Sequence, residues 1–386
     1  MYLIDAQTHE LKSFNYNVNL PKFAVLSHRV LGEEILFSDI SPEVPEMIAD
    51  LSVDITLAEA TTTLRLHRAG RKGWDKIQPC CEQALKDDIK YIWVGTCCVN
   101  NDSKTELSEA INTVFRWYEE AEVCYAYLVD VKRDKKHTDE TWYTSFVGSS
   151  WFKSPWTLQE LLAPKSVKFF DRDWQELGSR LSLSEEIAEA TKIQLEVFTA
   201  GKPNLEAWSI AQRMSWASRR EALLVEDVAY SLLGIFGVNM SIVYGEGPKA
   251  FQRLQEAIIK QSDDHTILAW SGTANSHEHT GVLASSPAAF IDDSSLVQHV
   301  FDEDSRECSV TTSAMTVKLP LCRLAPVIEW AGLNCTRNGL DQVGIFLVQR
   351  SHLREVLIKA CVHGKWNDQF PRRDLDCQWR RVTLAT

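Results

Sequence analysis

Residues 90–131 read KYIWVGTCCVNNDSKTELSEAINTVFRWYEEAEVCYAYLVDV, and the fold turns on this stretch. Tyr91–Val94 is apolar on both faces and stops at Gly95, the pattern of a strand buried in a parallel sheet. Ser103, with Glu106 three residues on, fits a capping box at a helix start. Leu107, Ala110, Ile111, Val114 and Tyr118 then follow helical spacing. Val123–Val131 is a second apolar strand. Two buried strands joined by a helix form a βαβ unit, which demands a parallel sheet.

Further elements extend the unit on both sides. Lys22–His28 reads as a central strand, followed by a loop rich in acids and prolines (Glu33, Glu34, Pro42, Pro45). Asp75 can cap a helix whose apolar positions include Ile77, Cys81, Ala84 and Leu85. Ser154-Pro155 is a helix start and Val167–Phe170 the next strand. The expectation over 22–171 is an α/β domain, a parallel sheet flanked by helices with Val25, Ile92 and Tyr125 on adjacent central strands. Residues 1–21 form an N-terminal strand or hairpin segment.

Residues 172–264 read as a helical extension. It includes Ala222–Phe236, which stops at Gly237, and Pro248–Gln261. Leu223, Leu224, Val228, Leu232, Leu233 and Phe236 give a wide apolar face that should pack on the α/β domain. Residues 265–386 read as β-rich. Met315, Val317 and Leu319 alternate with Thr316 and Lys318, and Gly344–Val348 and Val356–Val362 are further strands.

Composition narrows the function classes. With 386 residues, 45% hydrophobic and 24% charged, the chain suits a multidomain globular protein. Its net charge of −12 argues against a nucleic-acid surface. No C-x-x-C pair exists among the ten cysteines, so neither a zinc ribbon nor a redox motif is signalled. Cys80, Cys81, Cys97 and Cys98 sit in apolar surroundings and are expected to be buried, reduced thiols. No secretory signal pattern is seen at the N-terminus, and the uncharged stretch Val228–Tyr244 is short and polar for a membrane span. A cytoplasmic location is the expectation.

Two places carry candidate chemistry. At 100° per residue, Leu158, Leu161 and Leu162 form a stripe opposite Trp156 and Glu160, which are i,i+4 neighbours. The leucines can bury this helix and leave Trp156 and Glu160 lining a cleft, the ring for stacking and the carboxylate for hydroxyls. The alternative is an ordinary helix with its Trp under a loop. Ser27-His28-Arg29 ends the first central strand, where α/β ligand sites sit. These residues could position phosphate or ribose, or simply cap the strand. A Cys–His hydrolase using Cys97 or Cys98 with His28 is a further alternative. The sequence holds no P-loop, no G-x-G-x-x-G, no G-x-S-x-G and no H-E-x-x-H motif. Tyr244-Gly245-Glu246-Gly247-Pro248 is Gly-rich but reads as a turn before a helix.

With these residues in view, the chain resembles heterokaryon-incompatibility (HET) domain proteins. The matching segments are FAVLSHRVLGEEILFSD (23–39), residues 90–131, WFKSPWTLQELLAPKSVKFFDRDW (151–174), AQRMSWASRR (211–220), EDVAYSLLGIFGVNMSIVYGEG (226–247) and AFQRLQEAIIKQSDDHTILAW (250–270). The resemblance implies a role in self/non-self recognition and programmed cell death, a fungal form of innate immunity, in the cytosol. The HET domain is in turn similar to the Toll/interleukin-1 receptor (TIR) fold, a flavodoxin-like sheet. Enzymatic TIR domains carry S-x-W-C-x-x-E, whose Glu is needed to cleave NAD⁺. Ser154, Trp156 and Glu160 match it, and Thr157 replaces the Cys.

The resemblance therefore implies an NAD⁺ glycohydrolase with Glu160 as the catalytic carboxylate. Ser27, His28, Arg29 and Trp156 would hold the substrate. NAD⁺ would be a substrate rather than a cofactor, and no metal is implied. A homo-oligomer when active and an upstream receptor or partner protein are further expectations. The alternative is a non-enzymatic module that signals by oligomerising. The lost acids favour it, since Gly95 and Asn100 stand where acids are usual; Val30 and Leu31 also depart from the usual Trp and Gly.

Overall fold

The structure, a computed structural model, describes residues 1–16, 18, 20–30, 32–41, 72–133, 139–199, 201–270, 282–291, 293–298, 308–310, 314–325, 328–339, 341–350, 353–361 and 378–385. The chain divides into two compact units, Met1–Pro203 and Asn204–Thr386.

The first unit is built on a seven-stranded sheet. Its strands are β1 (Tyr2–Asp5), β2 (Leu11–Ser13), β3 (Phe23–His28), β4 (Tyr91–Val94), β5 (Val123–Tyr127), β6 (Val167–Phe170) and β7 (Glu176–Ser179), in the order β2-β1-β4-β3-β5-β6-β7. The four central strands, β4-β3-β5-β6, are parallel. β1 and β7 join antiparallel at either side, and β2 completes a hairpin with β1. Val25, Ile92 and Tyr125 lie on the adjacent strands β3, β4 and β5, as their apolar runs predict. Five of the six residues of β3 are buried, which explains why its sequence shows no alternation.

Helices α1 (Phe37–Ile40), α2 (Trp74–Lys86), α3 (Lys104–Glu120), α4 (Asp139–Val147) and α5 (Trp156–Leu162) lie between these strands, and α6 (Ser184–Thr191) follows β7. α3 covers one face, where Trp117 and Tyr118 make edge-on contacts with Trp93. α2 covers the other, where the Tyr125 hydroxyl donates to Asp87, the residue after α2, at 2.8 Å. The chain runs from β3 outward to β4, then returns across β3 to β5. In an open α/β sheet this reversal places a crevice beyond the carboxyl ends of β3 and β5.

Local differences from the sequence reading have local causes. α2 begins at Trp74 with Gly73 at its cap, so Asp75 sits in the first turn and is not the cap. Trp74 is 5% exposed and packs edge-on against His9, and the helix starts two residues earlier than an Asp75 cap would set it. Leu85 is on the outer side of α2 and exposed. At Ser103 only half of the capping box forms. Its hydroxyl accepts the Glu106 N–H, while its own N–H donates to Asn100. β5 ends at Tyr127, not at Val131, because the chain turns at 128–131. Pro42, Pro45, Leu31 and Val362 lie outside the described residues.

In the second unit the expected helix 222–236 is two single turns, Asp227–Tyr230 and Leu233–Phe236. Leu223 and Leu224 are 94% and 52% exposed and do not belong to a buried face. Glu226, at the cap of the first turn, accepts the amides of Gly245 and Gly247 on its buried carboxylate at 2.8 and 2.9 Å and ties the two segments together. The 244–248 turn thus precedes a helix at Lys249–Ile259, as expected. Its glycine amides are committed to Glu226.

The strands of this unit are β8 (Leu296–Gln298), β9 (Cys308–Val310), β10 (Ala314–Ala325), β11 (Ile328–Arg337), β12 (Asp341–Arg350), β13 (Leu353–Cys361) and β14 (Gln378–Ala385). They pair in the order β8-β11-β12-β13-β14-β10-β9, and β10 also pairs with β11. The ladder from β10 to β14 therefore returns on itself as a closed ring. Gly344 on β12 makes room for the ring of Trp330 on β11, which lies 2.3 Å from where a Cβ would stand.

One test of the α/β packing is Gly73. A Cβ there would lie 2.7 Å from the Ile35 backbone nitrogen and 2.9 Å from the Glu33 carbonyl. Gly73→Ala should lower stability by about 1–3 kcal/mol through forced backbone movement. The urea unfolding midpoint measures it, and an unchanged midpoint would contradict the close approach.

Candidate functional site

The site is built around α5. Leu158, Leu161 and Leu162 are at most 1% exposed, and Thr157 and Gln159 are also buried. Trp156 and Glu160 alone in this helix are half-buried. The leucine stripe thus holds α5 in place and leaves the Trp156–Glu160 face at its edge. Ser154 is extended and Pro155 already has helical dihedrals, so the Ser-Pro pair sets the direction of entry.

Glu160 meets the end of β3. The Ser27 hydroxyl, fully buried, donates to Glu160 Oε2 and accepts the Trp151 Nε1–H at 2.9 Å. Tyr118 on α3 lies against the same carboxylate. Burial and then the Glu160 charge push its phenol well above the usual range, so it stays a neutral donor. Burial and Glu160 likewise raise the Cys124 thiol. The carboxylate is therefore met by two hydroxyl groups, Ser27 and Tyr118, while Cys124 lies near enough to feel its charge.

A 3-10 turn at Ser150–Lys153 carries Trp151. Asp130 accepts from the Ser149 hydroxyl and the Ser150 N–H, both at 2.7 Å. Arg29 Nη1 donates to the Ser150 carbonyl at 2.9 Å. The Thr157 hydroxyl lies 2.5 Å from the Trp151 carbonyl and 3.0 Å from that of Ser154. Thr157, which replaces the Cys of the resembled motif, thus ties α5 to this turn.

His28 goes elsewhere. Strand alternation turns it away from Ser27, toward Glu34 and Lys76 on the α2 side. His28 Nε2 is 3.5 Å from Glu34 Oε2, and Lys76 Nζ is 2.5 Å from Glu34 Oε1. Burial lowers the His28 pKa against the pull of Glu34, so the imidazole is neutral at pH 7. Burial alone would raise the Glu34 carboxyl, but His28 and Lys76 hold it low. The structure brings Ser27 to Glu160 but does not bring His28 there, and it engages Arg29 with backbone. The sequence reading passed over Trp151, Tyr118 and Asp130. Tyr118 looked like one more core position on the α3 stripe, and nothing in spacing marks Trp151 as a donor to Ser27.

The motif departures have plain structural readings. Gly95 follows β4, with room for a side chain, since a Cβ there would meet Trp93 only at 3.4 Å. Asn100 Oδ1 accepts the Asp102 N–H at 3.1 Å, a local turn contact. Val30 is 55% exposed. Cys80, Cys81, Cys97 and Cys98 are all buried, as expected. Burial pushes the Cys97 thiol well up, leaving it a poor nucleophile. Among the described residues no group of His, Cys, Asp and Glu could hold a metal ion, and no helix is long and apolar enough to cross a membrane.

The turn beneath Trp151 makes a pH prediction. Burial would raise the Asp130 carboxyl, but the Ser149 hydroxyl and the Ser150 amide outweigh it and hold the pKa below the usual value. A depressed carboxyl stabilises the fold above its unfolded pKa of about 4, and that contribution disappears as pH falls through the folded value. Asp130→Asn should therefore melt below wild type at pH 7, and the gap should begin to narrow below about pH 4 and shrink further as pH falls through the folded value. Thermal scans from pH 7 to 3 measure it, and a gap independent of pH would contradict the assignment.

Comparison with known proteins places the chain near one relative. It is 47% identical over 191 residues to the vegetative incompatibility protein HET-E-1 of Podospora anserina, covering 49% of this chain and 14% of that protein. No family model matches the chain, and no solved structure matches it significantly. The chain spans about a seventh of the length of this curated relative, to which it is related through that shared region.

Proposed function

We propose that the protein is an effector of self/non-self recognition that acts as a TIR-like NAD⁺ glycohydrolase. The likeness to HET-E-1 supports the first part. The second rests chiefly on one observation: Glu160, half-buried at the carboxyl end of β3, accepts the Ser27 hydroxyl on a helix edge it shares with Trp156. Strand order β4-β3-β5-β6 is the doubly wound arrangement that the TIR-like reading expects.

Breaking the nicotinamide–ribose bond leaves a sugar with oxocarbenium character. A carboxylate beside the ribose stabilises that positive charge and orients the 2′ and 3′ hydroxyls. Glu160 takes this role, and Trp156 offers a ring for stacking. Nicotinamide leaves as a neutral ring with the electron pair of the broken bond; water then adds to the sugar and releases a proton to solvent. The reaction would take place in the cytosol, with no metal, in an active homo-oligomer.

A second reading is a non-enzymatic module that signals death by oligomerising. Gly95 and Asn100, where the resembled motif has acids, favour it. The Cys–His hydrolase has less support, because Cys97 is fully buried with a raised thiol pKa.

Nicotinamide release from NAD⁺ by concentrated protein decides between them. Glu160→Gln keeps the shape and removes the charge, so the rate should fall roughly 10²–10³-fold. Turnover that survives Glu160→Gln would overturn the site. No turnover by wild type, even when forced to oligomerise, would favour the signalling module.

A further inference from the structure

We infer that Trp151 is a positioning residue for Glu160, acting through the hydroxyl of Ser27. This rests on the reading of Glu160 given above. Trp151 is 1% exposed, and its indole N–H has one kind of chemistry to offer, donation. It donates to Ser27 Oγ at 2.9 Å. A serine oxygen whose lone pair is taken in this way turns its own proton outward, and here that proton goes to Glu160 Oε2. The indole thereby fixes the direction of the serine proton. Ser27 then faces the carboxylate as a donor, with the Cys124 thiol also against its hydroxyl. Without the indole, the hydroxyl could rotate and present a lone pair to the negative charge.

The rest of the turn exists to aim that indole. The Ser149 hydroxyl accepts the Trp151 N–H at 3.2 Å and itself donates to Asp130. Arg29 holds the Ser150 carbonyl, and the Thr157 hydroxyl, on α5 itself, lies on the Trp151 carbonyl. Two of these contacts fall on the Trp151 backbone and the third, from Arg29, on the residue before it, so the turn that carries the indole is held from β3, from α5 and from within. Arg29 thus belongs to the support of the carboxylate, which it reaches through the Ser150–Trp151 turn and then Ser27.

The inference is tested on the full chain by a readout that needs no turnover. Protein labelled with ¹³C at the glutamate carboxyl carbons is titrated by NMR, with the Glu160 signal assigned as the one lost in Glu160→Gln. Hydrogen bonds to a carboxylate favour its ionised form, so removing the donor should move the titration midpoint up by about one pH unit in Ser27→Ala and in the same direction in Trp151→Phe. If wild type turns over NAD⁺, Trp151→Phe should lower kcat about 10-fold with KM little changed, by analogy with loss of one electrostatic support. Arg29→Met should do the same in smaller measure. A rise in KM at constant kcat in Arg29→Met would show a ligand contact and overturn its placement here. Should Trp151→Phe fail to fold, Ser27→Ala and Arg29→Met carry the test. A midpoint unmoved in the folded variants overturns the inference. A moved midpoint with no wild-type turnover upholds the positioning and rejects the glycohydrolase.

Discussion

Everything in the first unit depends on β3 being hydrogen-bonded on both sides and covered on both faces. Its backbone is paired to β4 and β5, so its side chains have no freedom to choose a face. Strict alternation then sends Ser27 to the α3–α5 side and His28 to the α2 side. Two adjacent residues of one motif come to serve two separate polar clusters. One is the neutral-donor nest around Glu160. The other is the buried His28–Glu34–Lys76 set, in which opposite charges offset one another's loss of water.

Placing the candidate carboxylate on a short helix is physically economical. Seven residues cannot hold a helix by themselves, so α5 relies on three leucines and on Thr157. That reliance leaves the outer edge free to differ. Trp156 and Glu160 are on that edge because no core position requires them.

Much of this was legible in the residues. Apolar runs gave β3, β4, β5 and β6, because strands buried on both faces leave no other pattern. The leucine spacing gave the exposed edge of α5. What escaped was anything fixed by long-range contact. The antiparallel strand β7 lies in a stretch that reads as polar and helical, and its pairing with β6 depends on a tertiary neighbour. The helix start at Trp74 was set by packing against His9, and the Asp75 cap gave way to it. Glu226 reaching two amides about twenty residues away is likewise a long-range contact that no local spacing marks. The Trp151–Ser27 bond spans 124 positions, and no local spacing encodes it.

The edges of the first sheet carry a last consequence. An unpaired strand edge is a template for adding another chain's strand, and proteins shorten or distort such edges to prevent runaway stacking. Here the outermost strands are β2, with three residues, and β7, with four and an irregular register against β6. Neither offers a flat row of amides long enough to recruit a second copy. Among the described residues, strand addition is therefore disfavoured at both edges of this sheet.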